Sequence, residues 1–315
     1  MFIIIFKLKF FTIHLFSCLN TFFYSLETLQ NLVTIKMMRI DKVILASDKN
    51  DKYLSFWPKV SEVWKNIGID PILIFVGTEP IDLCKDDNVF FFDSKEINPG
   101  FIARNIRMLY PALFPNDIFL LSDIDIMPLD KDYFLKYPNK LDSDSLLIFR
   151  SNLVTNSQIP ICWNAAKGSL WGEIFKIYEK NDIYKTLLKW SDETKNDPVS
   201  SWYNDQIKLK FYVEKLQIEK PNKVLNYDDD DFGFRRLDRS NYTHAVKSIY
   251  NNEKYTDFHM PTPYTRNKLL IKLVSEYFIF KKKESLFLKY VLLTYVLIKR
   301  LKLNISNKMK VKTDG

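Results

Sequence analysis

Two carboxylates, one residue apart, close an apolar run near the middle of the chain: Asp117-Ile-Phe-Leu-Leu-Ser-Asp-Ile-Asp-Ile-Met-Pro128. Ile118 to Leu121 reads as a buried strand, which puts Asp123 and Asp125 at its C-terminal end. Residues i and i+2 of an extended segment point the same way. Two acids held that close repel each other unless a cation or a proton sits between them. Hard oxygen ligands suit Mg²⁺ or Mn²⁺, and such a metal usually accompanies a phosphate-bearing substrate. In open α/β sheets, ligands bind at the carboxyl ends of the strands.

Other chemically pointed residues are few. The histidines are His14, His244 and His259, and the last lies in Tyr255-Thr-Asp-Phe-His-Met-Pro-Thr-Pro-Tyr264, where Pro261 and Pro263 fix the turn. Cys18, Cys84 and Cys162 are odd in number and scattered, so they form neither a disulfide framework nor a zinc pattern. Cys162 lies in an apolar run and is expected to be core packing. Glycine occurs at 68, 77, 100, 168, 172, 233 and 315, spacings that spell no Gly-x-Gly-x-x-Gly or Walker loop. A bound phosphate would therefore rest on a metal or on basic side chains. Arg104 and Arg107 share one face of a helix predicted over Pro99–Tyr110, either as phosphate contacts or as a solvated basic face. The four acids Asp228 to Asp231 read as a solvated loop. Arg235-Arg236, just beyond, would hold phosphate or pair with those acids.

The elements that must position these residues follow a strand–helix–strand pattern. Lys42–Ala46, Pro71–Val76 and Val89–Phe92 read as strands, and Tyr53–Ile67 as a helix stopped by Gly68. This spacing signals βαβ units and a parallel sheet. Further on come a short helix over Lys131–Tyr137 and a strand over Leu146–Phe149. A strand then opens through Asn164–Gly168 into a helix over Ser169–Tyr178. Asp205-Gln206 stands at the head of another helix, where an acid also complements the dipole. Hydrophobic residues at 47% and aromatics at 15% exclude general disorder.

Charge is unevenly spread. From Arg266 onward there are thirteen basic and three acidic residues, whereas the rest of the chain carries 33 against 35. The net +8 thus belongs to the tail, and the body is not expected to bind nucleic acid. Three segments result: an apolar leader over 1–36, a globular domain over 37–265 and a basic helical tail over 266–315. The leader is interrupted by Lys7, Lys9, His14 and Asn20, and reads either as a weak signal-anchor or as an appended stretch before a natural start at Met37-Met38. Residues 281–302 flank an apolar, aromatic-bearing stretch with lysines, which suits a membrane interface; a helix docked on the core is the alternative. Membrane association, peripheral or through that anchor, with an otherwise cytoplasmic body, is the expectation. Asn241-Tyr-Thr and Asn304-Ile-Ser are glycosylation sequons only if the domain is luminal.

A strand running into Asp-x-Asp after a sheet-building N-terminal half resembles the metal-binding signature of nucleotide-sugar glycosyltransferases of the GT-A fold. The resemblance spans about residues 40–264 and rests on short motifs in order. It implies an α/β, Rossmann-like, mostly parallel central sheet flanked by helices, and transfer of a hexosyl group from a nucleoside-diphosphate sugar, UDP by default. It implies Mn²⁺ or Mg²⁺ on Asp123, Asp125 and His259, with Ala46, Ser47 and Asp48 meeting base and ribose. Arg104 and Arg107 would meet the diphosphate. Asn164 and Lys167 match the acceptor-side segment, as sugar or phosphate contacts, with Asn164 alternatively a turn former. Asp205-Gln206 resembles the element that follows in glycogenin-like, retaining members. The acceptor, whether glycan, protein or lipid, is open. Two competing classes remain: a haloacid-dehalogenase-type phosphatase with Asp123 as nucleophile, and a non-catalytic, membrane-associated binding module on the same frame. Met127 stands where the phosphatases expect Thr or Val, and about eighty residues of sheet precede the motif.

Overall fold

A computed structural model describes residues 37–77, 88–239 and 253–279 and part of 290–298. The leader, Cys18, Cys84, His14, His244, both sequons and most of 281–302 lie outside the described residues. Among those described, no helix is long and apolar enough to cross a membrane.

The strands β1 (Lys42–Ser47), β2 (Asp70–Val76) and β4 (Ile118–Leu121) are apolar almost throughout because both faces of their sheet are covered. Side-chain alternation splits them between two cores: Val43 and Leu45 join one buried cluster, Ile44 and Ala46 the other. With β3 (Val89–Phe92), β6 (Leu146–Ile148), β7 (Asn164–Lys167) and β8 (Val224–Asn226) they form a seven-stranded sheet in the order β3-β2-β1-β4-β7-β6-β8. Only β7 runs antiparallel to its neighbours. The expected mostly parallel α/β architecture is what is observed. Strand β1 has β2 on one side and β4 on the other, so the order reverses between β1 and β4. That switch point is where an open sheet leaves a crevice.

Helix Trp57–Ile67 covers one face through Val60, Val63, Trp64 and Ile67, and Gly68 ends it at φ 95°, a left-handed cap. The single helix predicted from Tyr53 is two pieces, Asp51–Leu54 and Trp57–Ile67. Pro58 explains the break, since proline is tolerated in a first turn and not inside a helix. The other face is covered by helices Pro99–Leu109, Gly168–Phe175, Lys180–Thr194 and Asn204–Glu219. Gly168 is obligatory where β7 meets its helix: a Cβ there would lie 2.1 Å from the Phe114 carbonyl oxygen.

A second sheet, not anticipated from the sequence, has the order β5-β10-β9, with β5 Ile126–Pro128, β9 Phe234–Leu237 and β10 Lys254–His259. Strand β10 pairs antiparallel with β5 and sets His259 opposite Ile126. Arg150 ties this sheet to the body: its Nε donates to Asp229 (3.1 Å) and its Nη2 to Asp257 (2.6 Å). Tyr133 and Trp163 donate to the same two acids. The acidic run is therefore not simply a solvated loop. Asp229 turns inward to Arg150, while Asp228 and Asp231 cap a 3₁₀ turn. Arg235 and Arg236 pair with Glu253 and Asp257, not with that run. The head of the basic tail is a core helix, Tyr264–Phe278, with Leu270, Ile271 and Val274 buried.

Candidate active site

Beyond β4 the chain leaves the extended conformation and turns at Ile124-Asp125. Each of the two carboxylates finds its own cation. Asp123 receives the Arg107 guanidinium and, at 3.0 Å, the Cys162 thiol. Cys162 is buried as expected, and it also holds this carboxylate. Asp125 Oδ2 lies 3.1 Å from Arg239 Nη1 and 3.4 Å from His259 Nε2. The other ring nitrogen of His259 is 3.2 Å from Asp238. The register that pairs Ile126 with His259 puts Asp125 beside that imidazole, and the Met260 N–H donates to the Asp125 carbonyl.

Arg107 comes from the helix Pro99–Leu109 and is buried. Its Nη1 also donates to the Ser122 carbonyl (2.7 Å), and its Nη2 to Asp205 (3.1 Å). Asp205 arrives there because Asn204, at the head of its helix, donates to Asn105 at 2.8 Å. Burial raises the Asp205 carboxyl to about 6 against the pull of Arg107, with the neighbouring Asp123 charge adding to the rise. Burial pushes Asp123 upward too, but there the Arg107 charge and the Cys162 and Arg107 hydrogen bonds win and hold it at about 2. Arg104, one helical turn back, stacks 4.8 Å from the ring of Trp202.

These groups surround one open cleft of about 500 Å³ at the β1/β4 switch point. Ala46, Ser47 and Asp48 reach it from the end of β1, and Arg104 and Arg107 from the helix. Asp123, Asp125, Asp205, Gln206 and His259 line it as well. Two expected residues do not line it. Lys167 pairs with Ile118, at the far end of β4, and its ammonium lies 3.6 Å from Asp144. Antiparallel pairing explains this: β7 runs away from the site, so only its start, at Asn164, lies near Leu121. Asn164 is buried and donates to the Pro160 and Ile161 carbonyls, bracing its own loop.

Neither a protein-family model nor a curated protein matches the chain. Among solved structures, the chain is similar to the glycosyltransferase GlyE of Streptococcus pneumoniae TIGR4, at 13% identity and a TM-score of 0.36, over 67% of this chain and 50% of that one. For apo GlyE the figures are 14% and 0.41, over 83% and 64%. It is also similar to the galactosyltransferase LgtC in complex with donor and acceptor sugar analogs, at 13% and 0.39, over 70% and 87%. The chain thus spans between half and about two thirds of the GlyE structures.

Arg239 and Asp238 line or back the cleft and were not anticipated, nor were Asn50, Tyr53, Trp202 and Tyr203 at its walls. A signal for the first two existed. Asp238-Arg239 ends an apolar-flanked strand, as Ser47-Asp48 ends β1, and β9 runs parallel to β10, so both emerge beside His259. For a divalent cation the donor chemistry fits in part. Asp125 and His259 stand side by side, and Asp238 holds the distal ring nitrogen, the outer-shell pattern of metal-binding imidazoles. Asp123 is turned to Arg107 instead. Among the described residues no cluster of three or more His, Cys, Asp or Glu is poised to hold a metal. Substrate oxygens and water would have to complete the shell, as is usual for Mg²⁺ at phosphate sites.

Proposed function

We propose that the protein is a metal-dependent glycosyltransferase of the GT-A type, moving a sugar from a nucleoside-diphosphate sugar, UDP-linked by preference, to a glycan, protein or lipid acceptor. The observation that carries the reading is the Asp125–His259 pair, 3.4 Å apart at the rim of a cleft at the sheet's switch point. In the tautomer whose Nδ1–H donates to Asp238, His259 would present its Nε2 lone pair toward Asp125, a pose that suits a shared cation better than a hydrogen bond. A bound Mn²⁺ or Mg²⁺ would neutralise the charge that builds on the departing diphosphate.

The remaining roles belong to side chains of the cleft. Ser47 and Asp48, at the end of β1, offer hydroxyl and carboxylate to base and ribose. Arg104 supplies a cation toward the phosphates and Gln206 an amide toward sugar hydroxyls. Asp205, oriented by Arg107, faces the donor sugar or the acceptor, and retention of configuration is the outcome we expect from its glycogenin-like setting. Arg107 itself is spent on Asp123 and Asp205, so it shapes the wall more than it contacts phosphate.

Incubation with a panel of nucleotide-sugars, with Mn²⁺ and with EDTA, tests the reading. Mn²⁺-dependent release of the nucleoside diphosphate from one of them is the expected result. Hydrolysis of p-nitrophenyl phosphate without any nucleotide-sugar turnover would replace it with the phosphatase reading.

A further inference from the structure

Asp125 presents one carboxylate oxygen to two groups at once, His259 Nε2 and Arg239 Nη1. A guanidinium bonded to that oxygen and a divalent cation on it compete, because both are positive and both need the same lone pairs. Arg107 and Arg239 differ in freedom. Arg107 is buried and caged by Asp123, Asp205 and the Ser122 carbonyl, whereas the Arg239 side chain is 41% exposed and lines the cleft. The strand that leads to Arg239 is nonetheless fixed: Leu237, two residues earlier, pairs with Phe258, one residue before His259. Arg239 is therefore a cation anchored beside the metal position on a stem that can turn. A diphosphate is the natural second partner for it, since a guanidinium fork matches phosphate oxygens and is always charged.

We propose that Arg239 couples metal binding to diphosphate binding: it neutralises Asp125 while the cation is absent and passes to a phosphate oxygen of the donor when both are bound. This rests on the metal–diphosphate reading of the site. Metal alone must displace Arg239 and then sits beside an unpaired guanidinium. Metal with diphosphate gives that guanidinium a new anion. The two ligands consequently reinforce each other, and by linkage each tightens the other by the same factor.

The test measures Mn²⁺ affinity, by the loss of the free-ion paramagnetic resonance signal, with and without UDP, for the full chain and for Arg239→Gln and Arg239→Lys. In the wild type, UDP should tighten Mn²⁺ by about tenfold or more, within the usual range of coupling. Arg239→Gln should bind Mn²⁺ alone roughly three- to tenfold tighter, yet show no more than about a threefold gain from UDP. Arg239→Lys keeps the charge and should keep most of the coupling. Equal coupling in wild type and Arg239→Gln overturns the proposal, as does a lysine variant that behaves like glutamine. Should the glutamine variant not fold, wild-type coupling below about twofold overturns it alone. A wild type that binds neither Mn²⁺ nor UDP removes the underlying reading instead, and the inference with it.

Discussion

Arg107 and Arg150 are both buried guanidiniums gripped by two aspartates, and they serve opposite purposes. Around Arg150 little is open: Asp257 is fully buried, the Asp229 side chain is 14% exposed, and Tyr133, Trp163 and Thr256 supply further hydrogen bonds. That node joins the small sheet to the large one. Around Arg107 one wall is missing. Asp205 is buried, but the Asp123 side chain is 37% exposed, and all three residues line the cleft. The same charge arrangement is thus a fastener where water is excluded and a site wall where it enters. Low dielectric makes a buried pair costly to break rather than strongly stabilising in itself.

Arg150→Met should break the comparison most sharply. It takes the shared guanidinium from two carboxylates, one of them fully buried, and urea unfolding should show a loss of about 3–5 kcal/mol. Arg107→Met should cost clearly less, because water can solvate Asp123. Equal losses for the two would mean that the cleft is not open to solvent.

The acids on Arg107 sharpen the contrast through pH. Asp205 holds its proton more tightly folded than unfolded, at about 6 against an ordinary 3.8. Between those values the native state carries the extra proton. Its contribution to stability is therefore full below about pH 4 and is lost as pH rises through about 6, on the order of 3 kcal/mol. Asp123 runs the other way: held at about 2, its contribution is present above its unfolded value of 3.8 and is lost as pH falls toward 2. Asp205→Asn should remove the decline between about pH 4 and 6 from a stability–pH profile by urea unfolding. A variant with an unchanged profile would show that Asp205 is not sealed.

Lys167→Ala should do least. Far from the cleft, it should shift stability by less than about 0.5 kcal/mol and leave nucleotide-sugar turnover within about twofold. A large loss of turnover would return Lys167 to the site.

The legible parts of the sequence were those governed by local pattern. Apolar runs marked β1, β2 and β4, Gly68 and Pro99 marked helix ends, and the order of short polar motifs brought ten of twelve expected residues to one cleft. What was hidden depends on pairing between distant segments. Antiparallel β7 carries Lys167 away from the site, a direction that no residue in Asn164–Lys167 encodes. The small sheet joins residues 126–128, 234–237 and 254–259, so Arg239 becomes a neighbour of Asp125 across 114 positions. The turn at Ile124-Asp125 replaces the extended segment expected there, yet Asp123 and Asp125 both reach the cleft, each beside its own arginine.

The central claim is that Asp125 and His259 hold a divalent ion that in turn holds a diphosphate. Titration calorimetry of UDP into the protein, with Mn²⁺ and with EDTA, tests it most directly when wild type and Asp125→Ala are compared. The account predicts UDP binding to the wild type only with Mn²⁺, and at least about tenfold weaker binding to the variant under the same conditions. UDP binding that is equally tight with EDTA, or unchanged in Asp125→Ala, would contradict it.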